Sequence, residues 1–249
     1  MICWAKPPAA EIKSAANLPA GRKSAVIVGG SAGPGPEKPF SQLHQDHWRR
    51  LKDAGWFLYG YVHCTRGERP VKEVMADVDG WVELYGDLVG GIFVDESPNH
   101  FDEALIDYFD TLVSHIKGAG RKVCLNPGTE MHDGGVISSR VDIVVGFESS
   151  AEAWHALPLG FRCRCSPHGA AGAAMIHSLP SPRAGRMRRR LIGLLRAARA
   201  RGFRVVYITD AVMPDPYNQL PSFWAKEVEC LGVKSAAAPL PPPGVAEPA

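Results

Sequence analysis

The chain has 249 residues, 45% of them hydrophobic, with 28 Lys and Arg against 26 Asp and Glu and a formal net charge of +2. That length supports one large domain or two small ones with a sizeable core, and the near balance of charge gives no sign of a nucleic-acid or membrane partner. The six scattered cysteines exclude a small disulfide scaffold, and no apolar run of about 18 residues is present to span a bilayer.

Taken in order, the N-terminal segment 1–20 is atypical. Met1-Ile-Cys-Trp-Ala-Lys-Pro-Pro has no apolar core of signal-peptide length, so the chain as given reads as cytoplasmic. Trp4 to Ala20 reads as helical or irregular. Ser24 to Val28 is the first clear strand, and it runs into the glycine-rich loop Gly29 to Pro36. Leu43, His47 and Leu51 recur at helical spacing, and Trp56 to Val62 is the next strand. Pro70 opens a second helix, where proline is tolerated, with Val71, Val74, Val78 and Trp81 as its buried stripe.

Gly91-Ile-Phe-Val94 then reads as a buried strand that ends abruptly in two carboxylates, Asp95 and Glu96, with Ser97-Pro98 stopping it. Phe101 to Ile116 has helical spacing through Leu105, Phe109, Leu112 and Ile116. Lys122 to Gly128 is a strand plus turn, Val141 to Glu148 another buried strand, and Ala173 to Ser178 a weaker one. Met187 to Ala200 is a strongly basic helix, Phe203 to Asp210 the last strand, and Pro221 to Trp224 the start of a closing helix. The Ala/Pro-rich tail 234–249 lacks a core pattern and is expected to be disordered.

Strand followed by helix, repeated, with polar strand ends, predicts a parallel α/β fold over residues 21–233. Seven strands can be counted. A (β/α)8 TIM-type barrel needs eight, and the shortfall lies at the N-terminus, where the first strand is expected to be missing or atypical. A doubly wound open sheet is the alternative.

In parallel α/β folds the carboxyl ends of strands carry the chemistry. Here those ends hold Asp95, Glu96, Asn126, Glu148, His177 and Asp210. Adjacent residues on a strand face opposite ways, so Asp95 and Glu96 are expected to differ in surroundings and pKa. Two carboxylates facing one cleft are what glycoside hydrolysis requires, one protonated and the other ionised, with no cofactor. Aromatic residues nearby (Tyr61, Trp154, Tyr207, Tyr217, Trp224) are candidates to stack on sugar rings. Gly29 to Gly35 lacks the spacing of a phosphate-binding or dinucleotide loop, leaving a sugar-phosphate enzyme as a distant reading. His63, Cys64 and His177 have no metal-ligand spacing, and no metal is expected. Arg186 to Arg190 reads as a solvated face, with an anionic polymer as a conceivable contact.

Several blocks in order resemble the spherulation-specific, spherulin-4-like family. They are Val26-Ile-Val28 with Ser31-Ala-Gly-Pro-Gly35, Gly60-Tyr-Val62 with Thr65, Gly91 to Glu96 with Pro98, and Leu125-Asn-Pro-Gly128. Asp142 to Val145 with Phe147-Glu148, Ile176-His177-Ser178, Tyr207 to Asp210, and Leu220 to Trp224 complete the set. The resemblance implies a (β/α)8 barrel and an endo-acting glycoside hydrolase that cuts an amino-sugar polysaccharide, galactosaminogalactan-like, with α-1,4-linked N-acetylgalactosamine. It implies Asp95, Glu96 and Glu148 as catalytic residues, with Glu96 and Glu148 the acid/base and nucleophile pair and Asp95 tuning its neighbour. Tyr61, His63, Asn126, His177, Tyr207, Asp210 and Trp224 are the expected substrate contacts. The expected partner is the polysaccharide, with no nucleic acid or membrane. A secreted protein would follow if the true start lies upstream. The rival reading is a non-catalytic carbohydrate-binding or spore-coat-like protein on the same barrel.

Overall fold

The structure is a computed structural model, and it describes residues 2–5, 24–29, 39–132, 137, 139–165, 169–180 and 186–230. Its centre is an eight-stranded, all-parallel sheet whose strands lie side by side in chain order. They are β1 (Ile2–Ala5), β2 (Ser24–Val28), β3 (Trp56–His63), β4 (Gly91–Asp95), β5 (Lys122–Leu125), β6 (Ile143–Ser150), β7 (Ala171–His177) and β8 (Phe203–Ile208). The helices are α1 (Gln42–Asp53), α2 (Val71–Tyr85), α3 (Glu103–Gly118), α4 (Ala151–Ala156), α5 (Met187–Ala200) and α6 (Trp224–Cys230). The sheet curls, and its edge strands β1 and β8 approach one another.

One expectation is corrected here. The first strand, expected to be missing or atypical, is present in short form: Ile2–Ala5 pairs in parallel with Ala25–Val28. It is only four residues long, too short for alternation to show, and Pro7-Pro8 soon after breaks any longer pattern. The rest of segment 6–23, the glycine-rich loop beyond Gly29 and the tail from residue 231 lie outside the described residues.

The strands form because they are apolar and β-branched on both faces, as a sheet covered by helices demands. Ile92, Phe93 and Val94 are all fully buried, as are Val144 and Val145 on β6. The predicted helical stripes are the ones that pack inward. Val74, Val78 and Trp81 of α2 and Phe109, Leu112 and Ile116 of α3 are each 0–1% exposed. Helix α3 begins at an N-cap, Asp102, whose side chain accepts the Leu105 N–H and satisfies a donor that the helix itself leaves open.

One close approach matters for the site. A Cβ on Gly60 would sit 2.5 Å from the Trp81 ring, so only glycine lets α2 lie this close to β3. The approach brings the Trp81 indole N–H onto the Tyr61 carbonyl at 2.9 Å, which fixes the backbone that presents the Tyr61 side chain.

Candidate active site

The carboxyl ends of β3 to β6 surround a cavity of about 470 Å³. Its floor and walls come from the loop after β3 (Thr65, Arg66, Glu68), the end of β4 (Asp95 to Ser97), the turn after β5 (Asn126 to Gly128) and Glu148 on β6. The three carboxylates named from the sequence therefore line one cavity at one end of the sheet.

They are not equivalent. The Asn126 side-chain amide donates both to Asp95 Oδ1 at 2.7 Å and to Glu148 Oε2 at 2.8 Å. One amide nitrogen thus bridges two carboxylates, whose facing oxygens lie at most two hydrogen-bond lengths apart. Asn126 is itself held. It is 6% exposed, its N–H bonds the Val94 carbonyl at 2.9 Å, and its Oδ1 accepts the Gly128 N–H at 3.0 Å. Glu148 N–H in turn bonds the Gly128 carbonyl at 2.8 Å. The Asn-Pro-Gly turn is therefore the clamp that sets β4 and β6 carboxylates against each other.

Asp95 also accepts the Tyr61 hydroxyl at 3.0 Å and the backbone N–H of Glu96. Burial pushes its carboxyl above the usual range, and the Glu148 charge adds to that; the three donors pull the other way. Asp95 therefore holds its proton to higher pH than it would alone in water. Tyr61 is kept protonated, first by burial and then by the Asp95 charge. Tyr217 is likewise kept protonated by burial, and faces Glu148.

Glu96 takes a separate path. Its φ is +54°, in the left-handed region that a non-glycine residue rarely occupies. That twist, just past the last residue of β4, sends its side chain to the rim, where it is 55% exposed and lies 3.8 Å from His63 Nδ1. His63 is placed by Thr65 Oγ1 at 3.2 Å, and its carbonyl accepts from Arg69 at 2.7 Å. Arg66, also at positive φ, donates its backbone N–H to the Glu96 carbonyl at 2.7 Å.

The remaining sequence candidates go elsewhere. His177 bonds the neighbouring Ser178 hydroxyl at 2.8 Å, and burial lowers its pKa. Asp210 accepts the Ser222 N–H at 2.9 Å and the Ser222 hydroxyl, tying the chain after β8 to itself. Tyr207 is fully buried and donates to the Gln219 carbonyl at 3.3 Å, so the ring backs Tyr217 and offers no face to a sugar. Trp224 packs on Trp56, the first residue of β3, so it sits at the amino end of the sheet, opposite the cavity. Trp154 is 1% exposed under Phe147 and Arg201. The sequence reading did not name Arg66 and Glu68, and Thr65 entered it only within a resemblance block. The cue was there: the three follow a strand end and flank Gly67, which has φ +89°.

Among the described residues no group of three His, Cys, Asp or Glu could hold a metal ion, and no helix is long and apolar enough to cross a membrane.

Residues 6–231 match the family described as Spherulation-specific family 4. The chain belongs to that family. Over 219 residues it is 29% identical to Spherulin-4 of Physarum polycephalum, covering 85% of this chain and 63% of that protein. The crystal structure of Aspergillus clavatus Sph3 in complex with GalNAc aligns with a TM-score of 0.67 at 25% identity, covering 84% of this chain and 85% of that one. A chitinase from Chromobacterium violaceum aligns at 0.56 and 13% identity, covering 94% of this chain and 99% of that one, which speaks to the fold alone.

Proposed function

We propose that the chain is a glycoside hydrolase on a closed (β/α)8 barrel, acting on an amino-sugar polysaccharide of the α-1,4-linked N-acetylgalactosamine type. The observation that carries this is the Asn126 bridge between Asp95 and Glu148. A buried amide that holds two carboxylates side by side at the wall of a cavity supports a retaining mechanism, which needs its carboxyl groups close together, about 5–5.5 Å apart. The likeness to Sph3, a structure holding GalNAc, supports the sugar class. The curling of the sheet and the approach of β1 to β8 support closure of the barrel.

Geometry moves the roles relative to those the sequence implies. Asp95, raised by burial and by the Glu148 charge, is the carboxyl that holds the proton at the start of a cycle, so it is the acid/base that protonates the leaving oxygen and then activates water. Glu148, held by Asn126 and facing the Tyr217 hydroxyl, is the nucleophile. Glu96, half exposed at the rim, holds a sugar hydroxyl or amide.

The test is to incubate purified protein with a panel of amino-sugar polymers, including α-1,4-linked N-acetylgalactosamine, and to follow released oligosaccharides. Release that vanishes in Asp95→Asn and in Glu148→Gln is the expected result. Saturable binding without any release, from every polymer in the panel, would instead establish the non-catalytic carbohydrate-binding reading.

A further inference from the structure

The charge of +2 conceals a strong segregation. Between Glu152 and Asp210 lie 57 residues without one Asp or Glu, and they contain 11 Arg and no Lys. The rest of the chain then has 17 basic residues against 26 acidic ones. The excess is concentrated on α5 and its flanks, which carry Arg186, Arg188, Arg189, Arg190, Arg196, Arg199, Arg201 and Arg204.

The fold sorts these arginines. Met187, Leu191, Leu194 and Ala198 form the buried face of α5. Arg190 is spent on the Pro180 carbonyl at 2.7 Å, and Arg201 lies over the Trp154 ring at 4.6 Å while bonding its carbonyl. Arg189 and Arg196 lie directly opposite the buried stripe, seven residues and therefore about 10 Å apart along the helix. Arg199 lies less than a turn further on, with Arg186 exposed just before the helix and Arg204 exposed on β8 after it. None of these five is in an ion pair among the described residues. A row of like charges on one helix face is self-repelling and lowers helix stability, so packing alone gives no reason for it.

We propose that this outer face of α5 is a binding surface for an acidic polysaccharide that carries a carboxylate or sulfate on about every second sugar. The guanidinium fork suits planar, two-pronged recognition of such groups, and arginine is used throughout in place of lysine. The gap between Arg189 and Arg196 is comparable to the length of a disaccharide, and Arg199 adds a second charge close to one end of it. That gap is far wider than the one charge per roughly 1.7 Å that duplex DNA presents. The face also lacks what a membrane or single-stranded nucleic acid would use. The exposed large hydrophobic residues, Leu43, Leu84, Leu159, Val212 and Met213, all lie off this helix, and the aromatics beneath it, Trp154 and Phe203, are buried. The surface is on the outside of the sheet-and-helix layers, while the cavity opens at the strand ends, so it would hold the protein on a polymer matrix without occupying the cavity. It stands whether or not the cavity cleaves a sugar chain.

The test uses the full chain and hyaluronan fragments, which carry one carboxylate per disaccharide, with dextran as the neutral control. Duplex DNA and vesicles rich in phosphatidylglycerol are compared at the same salt concentration. The expected result is binding to hyaluronan that weakens steeply with salt. The triple variant Arg189→Gln, Arg196→Gln, Arg199→Gln should weaken it about tenfold or more, and the matching triple Lys variant should recover only part. Thermal melts of both triple variants establish that they are folded, since all three positions are exposed. Absence of binding to hyaluronan, binding unchanged in the folded Gln variant, or tighter binding to DNA or to vesicles would each overturn the proposal.

Discussion

The strand ends of β4 to β6 and those of β7 and β8 look alike in sequence and behave differently in the fold. Both sets finish an apolar run with a polar or charged residue. At β4, β5 and β6 those residues, Asp95, Asn126 and Glu148, bond to one another across strands. At β7 and just beyond β8, His177 and Asp210 bond to Ser178 and Ser222, close along their own segment of chain. A polar strand end is therefore weak evidence of chemistry by itself. What separates a site from a satisfied loop is whether the partner comes from another strand, because only then are two titratable groups forced to share a field.

The largest expected difference is in turnover. Asp95→Asn and Glu148→Gln should each lose about 10³-fold or more in kcat on a polymer shown to be cleaved. Asp95→Asn has a second, opposite effect on stability. The Asp95 carboxyl is raised by burial, so the folded state holds its proton more tightly than the unfolded chain does. Stability from that group is complete below the unfolded carboxylate pKa and falls as pH rises through the folded value. The asparagine variant never bears this cost, and Tyr61, whose hydroxyl can turn to accept, still has a partner. Asp95→Asn should therefore melt higher than the parent near neutral pH. That gap should close as pH falls towards 4. A variant that loses turnover and melts lower at every pH would mean that the residue is structural.

A smaller effect is expected at the clamp. Asn126→Ala removes no titratable group but frees both carboxylates, so turnover should drop about 10–100-fold through misplacement. The acid limb of its rate-versus-pH profile should move as well, because the two carboxylates no longer have a fixed spacing. An unchanged profile would reduce Asn126 to a packing residue.

The smallest effects should come from the other half of the sheet. Asp210→Asn and His177→Gln should each leave turnover within about threefold of the parent. The former should cost about 1 kcal/mol of stability through its bonds to Ser222. A loss in either one comparable to that of Glu148→Gln would erase the distinction between the two halves.

Much of this was legible before any coordinates. The apolar runs ending in Asp95 and Glu148 mark buried strands, and the stripes at Val74, Val78, Trp81 and at Phe109, Leu112, Ile116 mark the faces that pack inward. What sequence could not show is direction. Alternation along β4 says only that Asp95 and Glu96 part company. The positive φ at Glu96 that carries it to the rim depends on the Cys64 to Gly67 loop, whose backbone bonds Asp95 and Glu96 from the neighbouring strand. The same limit hid β1, a four-residue strand defined by its pairing with Ala25–Val28 and by no pattern of its own. It also placed Tyr207 and Trp224 among sugar contacts, since an aromatic near a strand end reads the same whether it faces the cavity or the opposite pole.

The most direct test of the central claim, that Asp95 and Glu148 act as one coupled pair, is a titration of the Asp95 side-chain carboxyl by ¹³C NMR. It would be run in the parent and in Glu148→Gln, with Asp210→Asn as the reference. The Glu148 charge raises Asp95, so removing it should lower the Asp95 midpoint in Glu148→Gln and leave it unmoved in Asp210→Asn. An Asp95 midpoint that is the same in the parent and in Glu148→Gln would contradict the account.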